Sequence, residues 1–125
     1  MQAACRNCHD TSWVTGQWQR FENTIRTTNA DVLLATDMMG ELWQGNFADF
    51  NANPFDEAIE KKWTDIWQFY ANTIRFASAM GCGGDYGVYA NGRYQLTQAL
   101  LEINDWLNLR KKLNASAHYD ENPSK

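Results

Sequence analysis

Apolar side chains recur along this chain in alternating steps of four and three residues, the spacing of one face of an α-helix. The first series lies within residues 12–44 and comprises Phe21, Ile25, Thr28, Val32, Ala35, Met39 and Leu42. Met38, Leu33, Leu34 and Trp18 are expected to widen its apolar stripe. Gly45 and Asn46 follow this series, and we predict that the helix ends there.

Two further stretches repeat the same spacing. The second series comprises Ile59, Trp63, Ile66, Tyr70, Thr73, Ala77 and Met80, and the third comprises Leu96, Ala99, Ile103 and Trp106. Asn53 and Pro54 are typical of an N-cap and a first helical position, and Gly81 is typical of a helix end. The pattern predicts an all-α fold: three long antiparallel helices in a coiled-coil-like bundle.

The remaining segments set the predicted domain boundaries. Phe47 and Phe50 in the first loop are expected to fill the end of the bundle, and Trp67, Phe69 and Phe76 lie off the second seam and indicate a further packing surface. Residues 81–92 hold five of the eight glycines and no regular period, so we predict a connector before a helix over 92–113. The boundaries are then a leading segment at 1–12, a helical domain at 13–113 and a disordered polar tail at 114–125.

The most specific motif is Cys5-Arg6-Asn7-Cys8-His9, which is the attachment pattern of a c-type haem. Two intervening residues let one helical turn present both thiols to the same edge of a porphyrin. Cys5 and Cys8 are therefore candidates for covalent attachment, and His9 is the candidate axial ligand of the haem iron. The first helix is thus preceded by a predicted haem-binding turn.

A C-x-x-C pair also occurs in redox-active dithiols and in zinc sites, and both alternatives stay open. A zinc site needs two further ligands, and Cys82, His118 and the carboxylates do not have zinc-finger spacing. A thioredoxin-like site follows a strand, and no strand pattern precedes Cys5. The sequence therefore favours haem attachment.

Composition and charge limit the partners. The net charge of −4 and the pI of about 5.0 argue against nucleic-acid binding. The chain contains no run of 18 apolar residues, so the sequence does not predict a membrane span. Because covalent haem is attached outside the cytoplasm and no export signal precedes Cys5, we expect a C-terminal piece of a longer periplasmic or otherwise extracytoplasmic protein. The second axial ligand of the haem iron is expected from another part of that longer protein. The alternative is that the chain is a small, complete monohaem cytochrome.

Several elements together resemble the C-terminal region of octahaem hydroxylamine oxidoreductases and their hydrazine-oxidising relatives. They are a last C-x-x-C-H motif, a long helix with early Trp and Phe, a Pro-Phe-Asp-Glu helix start, Gly84-Asp85-Tyr86, and Asn91-Gly92 before a final helix. The likeness extends from Cys5 to about Leu113. Relatives often carry a histidine where this chain has Ala90 or Asn91, and Cys82 is also a departure.

The resemblance implies a multihaem oxidoreductase that acts on hydroxylamine or hydrazine and assembles as a homotrimer. Cys5, Cys8 and His9 would hold the last haem of the longer chain and pass electrons toward an acceptor cytochrome. Tyr86 would crosslink to the catalytic haem of a neighbouring subunit, with Tyr89 and Tyr94 as weaker candidates. The catalytic centre would lie outside this chain, which alone would be inactive.

Three alternatives remain. The chain could belong to a non-catalytic multihaem electron-transfer cytochrome or to a reductive, nitrite-reducing relative, in which Tyr86 is structural. It could instead be a helical trimerisation module in which the C-x-x-C-H motif is vestigial. A loop tyrosine that packs on its own bundle is the simplest interpretation of Tyr86, and a buried free thiol that of Cys82.

Overall fold

The computed structural model describes residues 2–50, 53, 55–79 and 86–120, with side chains as far as residue 116. All regular elements in these ranges are helical, so the predicted all-α class is confirmed. They are α1 (Gln2–Cys5), α2 (Thr11–Gln44), α3 (Ala58–Asp65), a π-helical turn π1 (Ile66–Tyr70), α4 (Ala71–Ala79) and α5 (Tyr86–Asp120). The elements α3, π1 and α4 follow one another without a break and form one rod.

Polar contacts between the helices give their directions. The rod lies antiparallel to α2, because the pairs run in opposite senses: Trp43 with Glu60, Thr36 with Trp63, and Asn29 with Arg75. Helix α5 lies parallel to α2 and antiparallel to the rod, as shown by ion pairs of Asp31 with Arg93, Glu41 with Lys111, and Lys62 with Glu102. Consecutive long helices are therefore antiparallel, as predicted.

The first part of α2 extends beyond the described ends of its partners. Asn29 pairs with Arg75, four residues before α4 ends, and Asp31 pairs with Arg93, seven residues after α5 begins. Counting back from these two pairs, the described end of α4 lies level with residue 25 of α2, and the beginning of α5 lies level with residue 24. The preceding 13 or so residues, at 1.5 Å each, correspond to about 20 Å of helix. The turn that carries Cys5, Cys8 and His9 lies at the far end of this extension.

The core follows the predicted seams in α2 and α5. Fully buried side chains include Ala35, Met39, Leu42, Leu96 and Ile103. Leu33 and Leu34 do not widen the α2 stripe as expected, since they are 61% and 51% exposed. Each residue turns a helix by about 100°, so Leu33 and Leu34 precede Ala35 by about 200° and 100° and lie away from its face.

The π1 turn changes the seam of the rod. The steps of four and three predicted Tyr70 and Thr73 as the core positions after Ile66. The structure instead buries Ala71 and Ile74 completely. The Ala71 N–H donates to the Ile66 carbonyl, five residues back, so the turn contains one more residue than α-helical geometry allows. The core positions after π1 are therefore displaced by one residue along the sequence.

The rod begins later than the sequence predicted. Asn53 does not cap the helix; its side chain accepts from the Phe55 N–H, and Pro54 lies outside the described residues. The N-cap is Glu57, which forms a capping box with Glu60. Glu60 is also completely buried, and its carboxylate accepts from the Trp43 indole N–H at 2.7 Å and from the Asp56 and Glu57 N–H groups at 3.2 Å. This reciprocal bonding fixes the start of the helix better than a single Asn side chain.

Helix α5 is longer at both ends than predicted. It begins at Tyr86 and includes Gly92, which is buried where α5 passes close to Ile74 and Thr73. It continues through Asp120, although the tail was expected to be disordered from residue 114. No proline or glycine interrupts 114–120, and the first proline after Leu113 is Pro123. Met80, Gly81, Cys82 and Asp85 lie outside the described residues.

Replacing Glu60 with alanine should lower the free energy of unfolding by about 2–4 kcal/mol. The change removes a helix cap and leaves the Trp43 indole and two backbone N–H groups without their acceptor. Urea unfolding followed by circular dichroism measures the loss. Glu22→Ala, at an exposed position on α2, is the control and should stay within about 0.5 kcal/mol of the wild type. Equal effects of the two variants would contradict the anchoring role of Glu60.

Two glycine-to-alanine variants should have opposite effects on stability. A Cβ at Gly92 would lie 2.9 Å from Ile74 Cγ1 and 3.2 Å from Thr73 Cγ2, whereas a Cβ at Gly40 meets nothing within 4 Å. Overpacking should make Gly92→Ala less stable by about 1 kcal/mol despite its better helix propensity. Gly40→Ala should gain about 0.5–1 kcal/mol. Thermal and urea unfolding test both, and stabilisation by Gly92→Ala would refute the close packing of α4 and α5.

Candidate functional site

The two leading cysteines lie on a single helical turn. Cys5 is the last residue of α1, and its carbonyl accepts from the Cys8 N–H at 3.2 Å and from the His9 N–H at 3.0 Å. Side chains three residues apart on such a turn have Cβ atoms about 5–6 Å apart on the same side. Both thiols are free, with Cys5 half-buried and Cys8 exposed. The local fold therefore places the two cysteines on the same side of one turn.

His9 lies beside this pair and is held by a ring contact. Its imidazole is exposed and stacks on the Trp13 indole, with ring centroids 3.9 Å apart and planes inclined by 14°. Trp13 belongs to the first turn of α2, so the start of that helix sets the position of the imidazole. This stacking covers one face of the imidazole and leaves the other face and the ring edge clear of the indole.

Asp10 fixes the junction between the turn and α2. Its carboxylate accepts from the Ser12 hydroxyl at 2.6 Å and from the Trp13 N–H at 2.8 Å, and it is the N-cap of the helix. These two hydrogen bonds, the Ser12 bond first, lower the pKa of Asp10, and the neighbouring His9 charge adds a smaller effect. The ionised Asp10 side chain therefore holds the first turn of α2, including Trp13, next to the histidine.

The arrangement fits a c-type haem. Attachment needs two reduced thiols on one turn and an imidazole next to them, and Cys5, Cys8 and His9 supply these. It fits a protein metal site less well, because the described residues contain no group of three or more His, Cys, Asp or Glu side chains that could hold an ion. The side chain of the second histidine, His118, lies outside the described part of the chain.

Tyr86 lies apart from the haem-binding turn. It is the first residue of α5 and is 81% exposed, so its phenol is directed away from its own bundle. Tyr94 is also exposed, whereas Tyr89 packs against the core. No hydrogen bond or ring contact joins Tyr86 to Cys5, Cys8 or His9, all of which belong to the described residues. The structure thus does not bring the two sets of candidate residues together.

A pocket that the sequence interpretation missed lies at the other end of α2. It has a volume of about 420 Å³, and its walls include Trp43, Phe47, Phe50, Asp49 and Glu57. Phe47 packs against the core as predicted, but Phe50 is 55% exposed and forms a wall of the pocket. One signal was available in the sequence: residues 45–60 combine aromatic side chains with four acids and contain no lysine or arginine.

Comparisons of the chain with protein-family models, curated proteins and solved structures find no match. Among the described helices, none is both long and apolar enough to cross a membrane. The family resemblance therefore depends on the sequence motifs alone.

Proposed function

We propose that this chain carries a covalently attached haem c at Cys5 and Cys8, with His9 as an axial ligand of the iron. The observation that carries the proposal is the single turn on which both thiols and the histidine lie, closed by hydrogen bonds from Cys8 and His9 to the Cys5 carbonyl. The bound haem supplies reversible one-electron transfer. Cys5 and Cys8 hold it by one edge, and Trp13 keeps the His9 imidazole in place beside it.

The wider proposal is a multihaem oxidoreductase that oxidises hydroxylamine or hydrazine, as the family resemblance implies. In that protein Tyr86 acts on the catalytic haem of a partner subunit. Its 81% exposure at the start of α5 supports this role, because a phenol buried in its own bundle could not reach another chain. The proposed location is the periplasm or an equivalent compartment outside the cytoplasm.

Exposed apolar side chains support the proposed assembly. Trp67, Phe69 and Phe76 on the rod are exposed, and so are Leu101, Leu109 and Leu113 on α5. Exposed apolar surface of this kind is typical of interfaces between subunits. The proposed partners are the rest of the same multihaem chain, two further copies in a homotrimer, and a cytochrome that accepts electrons.

Expression of the chain in a periplasm that contains cytochrome c maturation enzymes tests haem attachment. We expect a mass increase of one haem and a haem-dependent peroxidase stain that survives denaturation. Cys5→Ser and Cys8→Ser should each remove at least one thioether bond, because each supplies one of the two attaching thiols. Cys82→Ser is the matched control and should keep the full mass increase. A wild-type chain without covalent haem would refute the proposal and favour the trimerisation module.

The role of Tyr86 is tested separately in the full-length assembly. Tyr86→Phe should abolish the unusual absorption of a tyrosine-crosslinked haem, because phenylalanine has no phenol oxygen to form the bond. Tyr94→Phe is the control, since Tyr94 is also an exposed tyrosine of α5, and it should leave the spectrum unchanged. Mass spectrometry of peptides that contain Tyr86 gives an independent measurement. Haems bound only through cysteines would favour the electron-transfer or nitrite-reducing alternative.

A further inference from the structure

The pocket at the end of α2 has rigid aromatic walls. The Trp43 indole is fixed from behind by its hydrogen bond to Glu60 at 2.7 Å and by an edge contact with Trp63 at 5.5 Å between centroids. Phe50 meets Trp43 at 4.9 Å with an angle of 61° between the planes. The two rings therefore form a corner that is open to the pocket.

Local contacts hold the described residues at the start of the loop that completes the pocket. Asn46 has a φ of 53°, in the left-handed region, which turns the chain sharply at the end of α2. The Phe47 ring lies so close to Gly45 that a Cβ there would be 2.6 Å from it. Further along, the Asp49 N–H donates to the Glu57 carboxylate at 3.2 Å. Pre-formed walls lower the entropy cost of binding a ligand.

The charged side chains that line the pocket are acidic. Asp49 and Glu57 form part of its lining, and Asp56 and the buried Glu60 lie next to it. The sequence from residue 45 to residue 60 contains these four acids and no basic residue. A concave site lined by one sign of charge concentrates ions of the opposite sign. The ligand that suits this site is therefore a cation.

Aromatic walls select among cations. A small metal ion prefers oxygen ligands in a complete shell, whereas the faces of Trp and Phe attract organic ammonium groups through their negative π-clouds. Alkylated ammonium heads also bury their carbon surface against such rings. A volume of about 420 Å³ lies within the range of about 300–1,000 Å³ that is usual for small-molecule sites.

We propose that this pocket binds a small organic cation with a methylated ammonium head. The rings of Trp43 and Phe50 form one side of the site for the head, and Asp49 and Glu57 supply the opposing charge. The site is independent of the haem-binding turn, which lies at the opposite end of the 34-residue helix α2. Its test therefore does not depend on the proposed function.

Titration of the whole chain with choline, followed by two-dimensional NMR of backbone and indole N–H groups, tests the proposal. NaCl is exchanged for choline chloride so that ionic strength stays constant. We expect saturable shifts of the Trp43 indole signal, assigned with Trp43→Phe, and of the amides of residues 46–50. The uncharged isostere 3,3-dimethylbutanol should bind about two- to thirtyfold more weakly, the range expected for one cation–aromatic contact.

Two matched pairs of variants locate the site. Phe50→Leu should weaken choline binding about two- to thirtyfold through loss of one aromatic wall, whereas Phe69→Leu, at 53% exposure on the rod, should have no effect. Asp49→Asn should also weaken binding, and the exposed Asp37→Asn on α2 should not. Circular dichroism checks that each variant is folded. Absence of saturation, equal binding of the uncharged isostere, or unchanged binding by Phe50→Leu would each overturn the proposal.

Discussion

The fold depends most on one buried carboxylate, that of Glu60. It lies in the first turn of α3 and joins the last turn of α2, through the Trp43 indole, to the residues that lead into α3, through the Asp56 and Glu57 N–H groups. A buried carboxylate is stable only when its oxygens accept several hydrogen bonds, and here three donors converge on it. Because the other polar contacts between α2 and the rod lie further along both helices, this group fixes where the second helix begins against the first.

The sequence predicted the helices well and their detailed register only in part. The seams of α2 and α5 follow directly from steps of four and three, because one apolar stripe per helix faces a common core. The displacement from Tyr70 to Ala71 could not be predicted in the same way, since a π-turn leaves the apolar content unchanged and alters only the hydrogen bonding. Likewise, Asn53-Pro54 has good capping residues, but the pairing of Glu57 with Glu60 and Trp43 is a tertiary contact.

The candidate site was likewise predicted only in part. Cys5, Cys8 and His9 lie close together in sequence, so their spacing alone predicted the single turn that the structure contains. The exposure of Tyr86 is what the crosslinking interpretation needs, and it contradicts the simpler interpretation of a tyrosine packed on its own bundle. Its place within α5 was not predicted. The pocket beside Trp43 was missed because its walls come from α2, a loop and the start of α3. Its chemistry exists only once Glu60 has brought these elements together.

The extension of α2 past the described ends of α4 and α5 separates the two sets of candidate residues. Counted along α2, about 20 Å of helix lies between the turn that carries Cys5, Cys8 and His9 and the level at which α5 begins with Tyr86. Within one chain, the two thiols and the Tyr86 phenol therefore lie too far apart to touch the same small group.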